Sequence, residues 1–223
     1  MASVYDLNLR HLRMLAVIAE TGSLSAAAKA TGISQPALTQ AVAKLETSFG
    51  TALFNRTPGG VRPTPGGRRV LQRVVRALKS FALACRRCSG TTAAASFETY
   101  LTTAHVRGLM ALAETGSFLR AADDAGVSVP SLHRAVRDLE KLSGTALVER
   151  RGRGVGLTRA GAKLARGFMI AVTELGAAME ETADSGGRLS IGAMALSRSQ
   201  LLPATLADLL NRRADVWVDV IEG

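Results

Sequence analysis

The chain has 223 residues, is 47% hydrophobic and carries a formal net charge of +10. That length has room for two or three small domains with real cores, and the composition is that of a folded protein. There is no apolar run long enough to span a bilayer and no signal-peptide stretch, and two cysteines make no disulfide framework, so a cytoplasmic protein without membrane association is expected.

Charge is placed unevenly. Residues 1–95 hold 13 Lys and Arg against 3 Asp and Glu, residues 96–187 hold 11 against 11, and residues 188–223 hold 4 against 4. The excess belongs to the first 95 residues. A stretch of that kind suits nucleic acid, an anionic membrane surface or a solvated basic face.

Most of the chain is one segment written twice. HLRMLAVIAETGSLSAAAKATGISQPALTQAVAKLETSFGTALFNRTPGGVRPTPGG from His11 returns ungapped from His105 as HVRGLMALAETGSFLRAADDAGVSVPSLHRAVRDLEKLSGTALVERRGRGVGLTRAG. Close to half of the positions are identical, including Glu20/Glu114, Gly22/Gly116, Ser34/Ser128, Pro36/Pro130, Leu45/Leu139, Gly50/Gly144 and Arg56/Arg150. The period is too long for a solenoid unit and suits a small domain with an attached helix.

Leu9, Leu12, Leu15, Ile18 and Ala19 recur at helical spacing up to Gly22, which predicts a first helix. Ser23 caps a short helix, LSAAAKAT, that Gly32 closes. Ser34 caps a third, in which Pro36 falls where its missing N–H costs nothing. Ala27 and Ala28 permit the close crossing of a helix-turn-helix, although an Ala-rich hairpin of helices is also ordinary packing. In a helix-turn-helix the third helix reads the major groove from its N-terminal turns; the exposed candidates are Gln35, Ala37, Thr39 and Gln40, with Leu38, Val42 and Leu45 turned inward.

LFNRTPGGVRPT then reads as a hairpin about Pro-Gly-Gly, a wing with Arg56 and Arg62 on its arms. Thr64 opens a long helix with an apolar stripe at Val70, Val74, Ala77, Leu78 and Phe81. SGTTAAASF, from Ser89 to Phe97, reads as a connection reaching up to about 3.3 Å per residue. The second copy repeats this order. Its wing, LVERRGRGVGLT, carries Arg150, Arg151 and Arg153, which suit phosphates or a minor groove. Thr158 opens a second long helix with a stripe at Leu164, Phe168, Val172, Leu175 and Met179. In the tail, Leu189 and Ile191 begin a strand, Gln200 to Asn211 reads as a helix, and Val216, Val218 and Val220 alternate as another strand.

ETGSLSAAAKATGISQPALTQAVAKLE, GTALFNRTPGGV and TPGG in the first copy resemble the LysR-type transcriptional regulators. So do ETGSFLRAADDAGVSVPSLHRAVRDLE and GTALVERRGRGVGLTRAG in the second. The resemblance implies a winged helix-turn-helix, a linker helix that dimerises antiparallel to its partner, and an effector domain like a periplasmic binding protein. This chain departs from the pattern by duplication. The expected fold is mainly α, with winged helix-turn-helix domains at 1–64 and 98–158. Linker helix 1 with its connection takes 65–97 and linker helix 2 takes 159–187. Residues 188–223 make the first β-α-β unit of the α/β periplasmic-binding-protein-like domain, too little for an inducer pocket.

By the same resemblance, DNA contacts fall on Ser34, Gln35, Pro36, Thr39, Gln40 and Lys44 in the first copy and on Ser128, Pro130, Ser131, His133, Arg134 and Arg137 in the second. Gln35 becomes Val129, which donates no hydrogen bond, and Gln40 becomes Arg134, suited to guanine. Two unlike half-sites are expected, read by an intramolecular pseudo-dimer that regulates transcription from duplex DNA. Expected partners are double-stranded DNA and the chain's own linker helices, with RNA polymerase a candidate, and a small-molecule inducer only if a longer chain completes the effector domain. The alternatives are a truncated assembly partner that heterodimerises with a full-length relative, and a weakly specific architectural DNA binder. No enzyme, cofactor or metal site is assigned. Cys85-x-x-Cys88 lacks two further ligands, His11 and His105 share one position of the first helix, and Ser197 and Arg198 stand without the rest of a pocket.

Overall fold

The computed structural model describes residues 3–152, 154–183, 188–193, 206–207 and 217–222. A short 3-10 turn, Val4–Asp6, opens the chain under a reciprocal cap in which the Asp6 carboxylate accepts from the Ser3 N–H at 2.9 Å. The first copy follows as α1 (Leu9–Thr21), α2 (Leu24–Thr31), α3 (Gln35–Phe49), β1 (Phe54–Thr57), β2 (Gly60–Pro63) and α4 (Pro65–Tyr100). The second is α5 (Thr103–Thr115), α6 (Phe118–Asp124), α7 (Val129–Ser143), β3 (Val148–Arg151), β4 (Gly154–Leu157) and α8 (Arg159–Ala183). β5 (Arg188–Ala193) and β6 (Trp217–Glu222) pair in parallel. The expected tail helix, Val216 and Arg153 lie outside the described residues, apart from Leu206 and Ala207, which are helical.

The boundaries follow from local chemistry. The hydroxyls of Ser23, Ser34 and Thr64 accept backbone N–H groups at the starts of α2, α3 and α4, filling donors that have no partner inside the helix. Gly22, Gly32 and Gly50 close the helices in the left-handed conformation. Two expectations are corrected. Ala19 is exposed, and the buried stripe of α1 runs through Met14 instead. Ser89 to Phe97 is not an extended connection: α4 continues unbroken to Tyr100, and the second module begins at its Thr102 cap, not at residue 98. Ala93, Ala94 and Ala95 are the best helix formers, and Phe97 is fully buried in the common core, so helix continuation costs little and gains burial.

α4 and α8 lie antiparallel. Phe81 meets Phe168 edge to face at 5.5 Å, Arg73 and Arg76 reach Glu174, and Ala84 lies against Gly167, so numbers rise along one helix as they fall along the other. Exchanging the two copies carries each of these pairings onto an equivalent place. An approximate two-fold axis therefore passes near Ala77 and Ala171, counterparts in the repeat and both fully buried. One continuous core runs from Leu12 and Leu45 of the first module through Val74, Phe81, Phe168 and Leu175 to Leu109 and Leu139 of the second. Two smaller cores, one about Ile18 and Leu38 and one about Leu112 and Leu132, hold each helix-turn-helix separately.

The copies also exchange arms. Arg13 of α1 donates to the carbonyls of Glu98, Thr99 and Leu101 at the end of α4, with 3.3 Å to Thr99, placing a cation at the negative end of the helix. Its counterpart Arg107, on α5, instead lies over the ring of Tyr5 from the N-terminal turn, 5.6 Å from the centroid.

Candidate nucleic-acid interface

In the first module α2 and α3 are joined through Gly32, and the Ser34 hydroxyl accepts from the Ala37 N–H. Ser34, Gln35, Pro36, Ala37, Gln40 and Lys44 are exposed, while Leu38, Ala41 and Leu45 are buried. Gln35 is not idle: its side-chain oxygen accepts from the Ser25 hydroxyl of α2 at 3.1 Å, which fixes the amide across the turn. Thr39 is half-buried, and its hydroxyl donates back to the Gln35 carbonyl at 3.0 Å. Gln40 and Lys44 are the longer polar side chains exposed further along this face.

In the second module Ser128 and Ser131 share a hydroxyl hydrogen bond at 2.8 Å, and Pro130, Arg134 and Arg137 are exposed. His133 is half-buried and stacks on Phe118 of α6, with centroids 3.7 Å apart and planes 16° off parallel. The stack holds the imidazole flat against α6. A polar histidine on a recognition helix signalled contact in the sequence; the aromatic at position 118, where the first copy has Leu24, was the clue to the stack.

The wings rest on the helix-turn-helix by matched bonds. The Val61 N–H donates to the Gly22 carbonyl at 2.8 Å, and Val155 does the same to Gly116 at 3.0 Å. Gly60, at φ +129°, sits so close that a side chain would collide with the Gly22 carbonyl. Behind each wing a glutamate fastens the strand start: Glu46 accepts from the Leu53 N–H and Glu140 from the Leu147 N–H, both at 2.8 Å. The threonines complete the base, the Thr64 hydroxyl donating to the Ala52 carbonyl and accepting from the Gly67 N–H, with Thr158 repeating both bonds. These glutamates were missed in the sequence reading, although their identity in both copies marked them.

Arg56 and Arg62 are exposed on facing strands of the first hairpin. In the second, Arg150 is exposed, but Arg151 folds back to Glu149 with contacts of 2.7 and 2.9 Å and donates to the Leu157 carbonyl at 3.3 Å. Gly156, the counterpart of Arg62, leaves the room in which the Arg151 stem lies.

Cys85 is buried, and Cys88, His11 and His105 are half-buried. Burial pushes the Cys85 thiol up to about 12 and raises Cys88 as well, which keeps both protonated. No group of three or more His, Cys, Asp or Glu positioned for a metal occurs among the described residues. Burial lowers His11, reinforced by Lys44 and Arg10; burial also lowers His105, against the opposing pull of Asp138. No helix among the described residues is long and apolar enough to cross a membrane.

A short second helix, a third helix exposed along its N-terminal turns, and an arginine-bearing hairpin anchored behind it define a winged helix-turn-helix module, and the chain carries it twice. The family model for bacterial regulatory helix-turn-helix proteins of the lysR family matches residues 9–68 and 103–162, together more than half of the chain. The chain belongs to that family. It is similar to the small neutral protease regulatory protein of Streptomyces coelicolor, with 48% identity over 75 residues, 34% of this chain and 24% of that protein. It is also similar to the HTH-type transcriptional regulator GalR of Pseudomonas putida, with 31% identity over 216 residues, 95% of this chain and 54% of that one. Among solved structures, oxidized OxyR of Corynebacterium glutamicum matches at 28% identity and a TM-score of 0.40, covering 54% of this chain and 38% of its own. The chain spans less than two thirds of the length of each of these relatives.

Proposed function

We propose that this chain is a sequence-specific transcriptional regulator that reads duplex DNA in the cytoplasm through two unlike heads held by one pair of antiparallel linker helices. The observation that carries this reading is the core common to both modules. Because α4 and α8 bury their stripes on each other, one chain supplies the arrangement that otherwise takes two. Ser34, Gln35, Pro36, Thr39, Gln40 and Lys44, with Arg56 and Arg62, serve the first head. Ser128, Pro130, Ser131, His133, Arg134 and Arg137, with Arg150, Arg151 and Arg153, serve the second. Arg134 supplies the base-specific contact of the second head, for which a guanine offers two aligned acceptors. The first 95 residues, with most of the excess charge, supply more of the phosphate affinity. RNA polymerase is the candidate further partner. Capture of a separate relative by the linker helices would require α4 and α8 to part and expose Phe81 and Phe168.

Selection from a random duplex library at moderate salt, with the protein-to-DNA ratio recorded, tests the reading. Two different half-sites at fixed spacing, bound by one chain, are expected. A symmetric site bound by two chains would sink the pseudo-dimer, and no sequence enrichment would sink specific reading.

A further inference from the structure

Among the core positions at which the two copies differ, one lies where the first helix crosses the third. In α1, Met14 is 5% exposed and packs in one cluster with Ile18, Leu38 and Ala41. Its counterpart in α5 is Gly108. A Cβ added there would press on Leu132 at 3.3 Å, with Ala135 and Val136 at 3.6 and 3.8 Å, so α7 packs close against the bare backbone at this point and a methionine side chain would have to displace Leu132 or turn outward. Beside Gly108 the second module has a pocket of about 170 Å³. Its floor is Gly108, Leu132 and Ala135, and exposed Ala104, Val127 and Ser131 form its mouth.

One cation lines this pocket. Arg107 is half-buried over the Tyr5 ring, and no carboxylate pairs with it among the described residues. A guanidinium without a counterion above apolar walls is suited to a single negative charge carried by a small hydrocarbon body. The volume agrees, since apolar cavities of about 150 Å³ accept a molecule the size of benzene. A phosphate would set about two negative charges against one guanidinium and the neutral hydroxyls of Tyr5, Thr103 and Ser131.

We propose that the pocket between α5 and α7 binds a small monocarboxylic acid, its carboxylate on Arg107 and its hydrocarbon body against Gly108, Leu132 and Ala135. The occupant would lie against α7, the helix to which Ser131, His133 and Arg134 belong, and Met14 denies the first module an equivalent. Its influence on DNA reading rests on the function proposed above, whereas the binding itself does not.

Calorimetric titration of the whole chain with hexanoate, without DNA, keeps the two questions apart. Saturable binding is expected with a dissociation constant of about 1 mM or tighter, a range open to a ligand of this size. Gly108→Met, which restores the residue of the first copy, abolishes it. Arg107→Gln weakens hexanoate about tenfold or more and leaves the neutral analogue hexan-1-ol unaffected. Methyl NMR of the unaltered protein is expected to move Leu132 and Val136 on addition of hexanoate, a readout that does not depend on how the variants fold. Hexanoate binding that persists in folded G108M, methyl shifts confined to other regions, or hexan-1-ol binding as tightly as hexanoate would each overturn the proposal.

Discussion

Arg134 and Lys44 illustrate two kinds of cation on one kind of helix. Arg134 is exposed on α7 at the register of Gln40, and Lys44 lies a turn further along α3. Arg134→Ala is expected to cost about 1–3 kcal/mol of binding and to relax preference at one base pair, while Lys44→Ala weakens all sequences and lowers the salt slope by about 1. Quantitative binding to the selected site and to scrambled duplexes, across a salt series, checks both; a uniform loss for Arg134→Ala would contradict its assignment. His105 makes a different point. Its Nδ1 accepts from the Thr102 N–H at 3.2 Å in a capping box, a bond that requires the ring nitrogen unprotonated, and burial lowers its pKa further. With the folded value below the unfolded one, the unfolded chain binds more protons in between, so stability falls as pH drops below about 6.5. His105→Gln retains a side chain that can close the box without titrating. Urea midpoints at pH 7.5 and 5.5 are expected to differ less in that variant, and an unchanged difference would remove His105 as the cause.

At the scale of elements, the junction of wing and linker helix is the part most tightly specified. The Thr64 hydroxyl is both donor and acceptor, at 2.6 and 2.8 Å, in a buried setting, and Gly67 packs directly against the Leu53 carbonyl. Thr64→Val is expected to destabilise by about 1–2 kcal/mol, because it strands a carbonyl and a helix-start N–H together. Thr158, half-buried with a longer bond of 3.1 Å to Gly161, is expected to lose less on the same change, as chemical denaturation would measure. The linker helices carry their own pairing signal. Burial alone would raise Glu174, but hydrogen bonds from Arg73 and Arg76 outweigh it and hold the carboxylate below its ordinary range. The two-fold counterparts of these three residues are Ser80, Gly167 and Ile170, so a pair of first-copy helices would set arginines against serine, and a pair of second-copy helices would set glutamate against glycine and isoleucine. Unlike pairing is thus favoured by chemistry as well as by the chain connection. Glu174→Lys is expected to loosen α4 from α8 and to raise the fraction of intermolecular dimers seen by light scattering at equal concentration.

At the scale of the molecule, the continuous core makes the two modules one cooperative unit. Phe168→Ala, which removes the edge-to-face partner of Phe81, is expected to cost about 3–5 kcal/mol and to lower the protection of both modules together. Hydrogen exchange read separately on α3 and α7 would distinguish this from independent domains, in which only the second module would respond.

The duplication, the order of helices and wings, the caps at Ser23, Ser34 and Thr64 and the inward stripes of the linker helices were all legible in the sequence, because capping and periodicity act over a few neighbouring residues. Family membership followed from the same local patterns. The continuation of α4 through Ser89–Phe97 was not legible, since its polar, glycine-bearing start outweighed the alanines until the burial of Phe97 was known. Nor were the stack of His133 on Phe118, the clamp of Arg13 on the end of α4, or the pocket opposite Gly108. Each depends on residues far apart in the chain, and whether a side chain is exposed to a ligand or held by a neighbour is settled only when packing has brought them together.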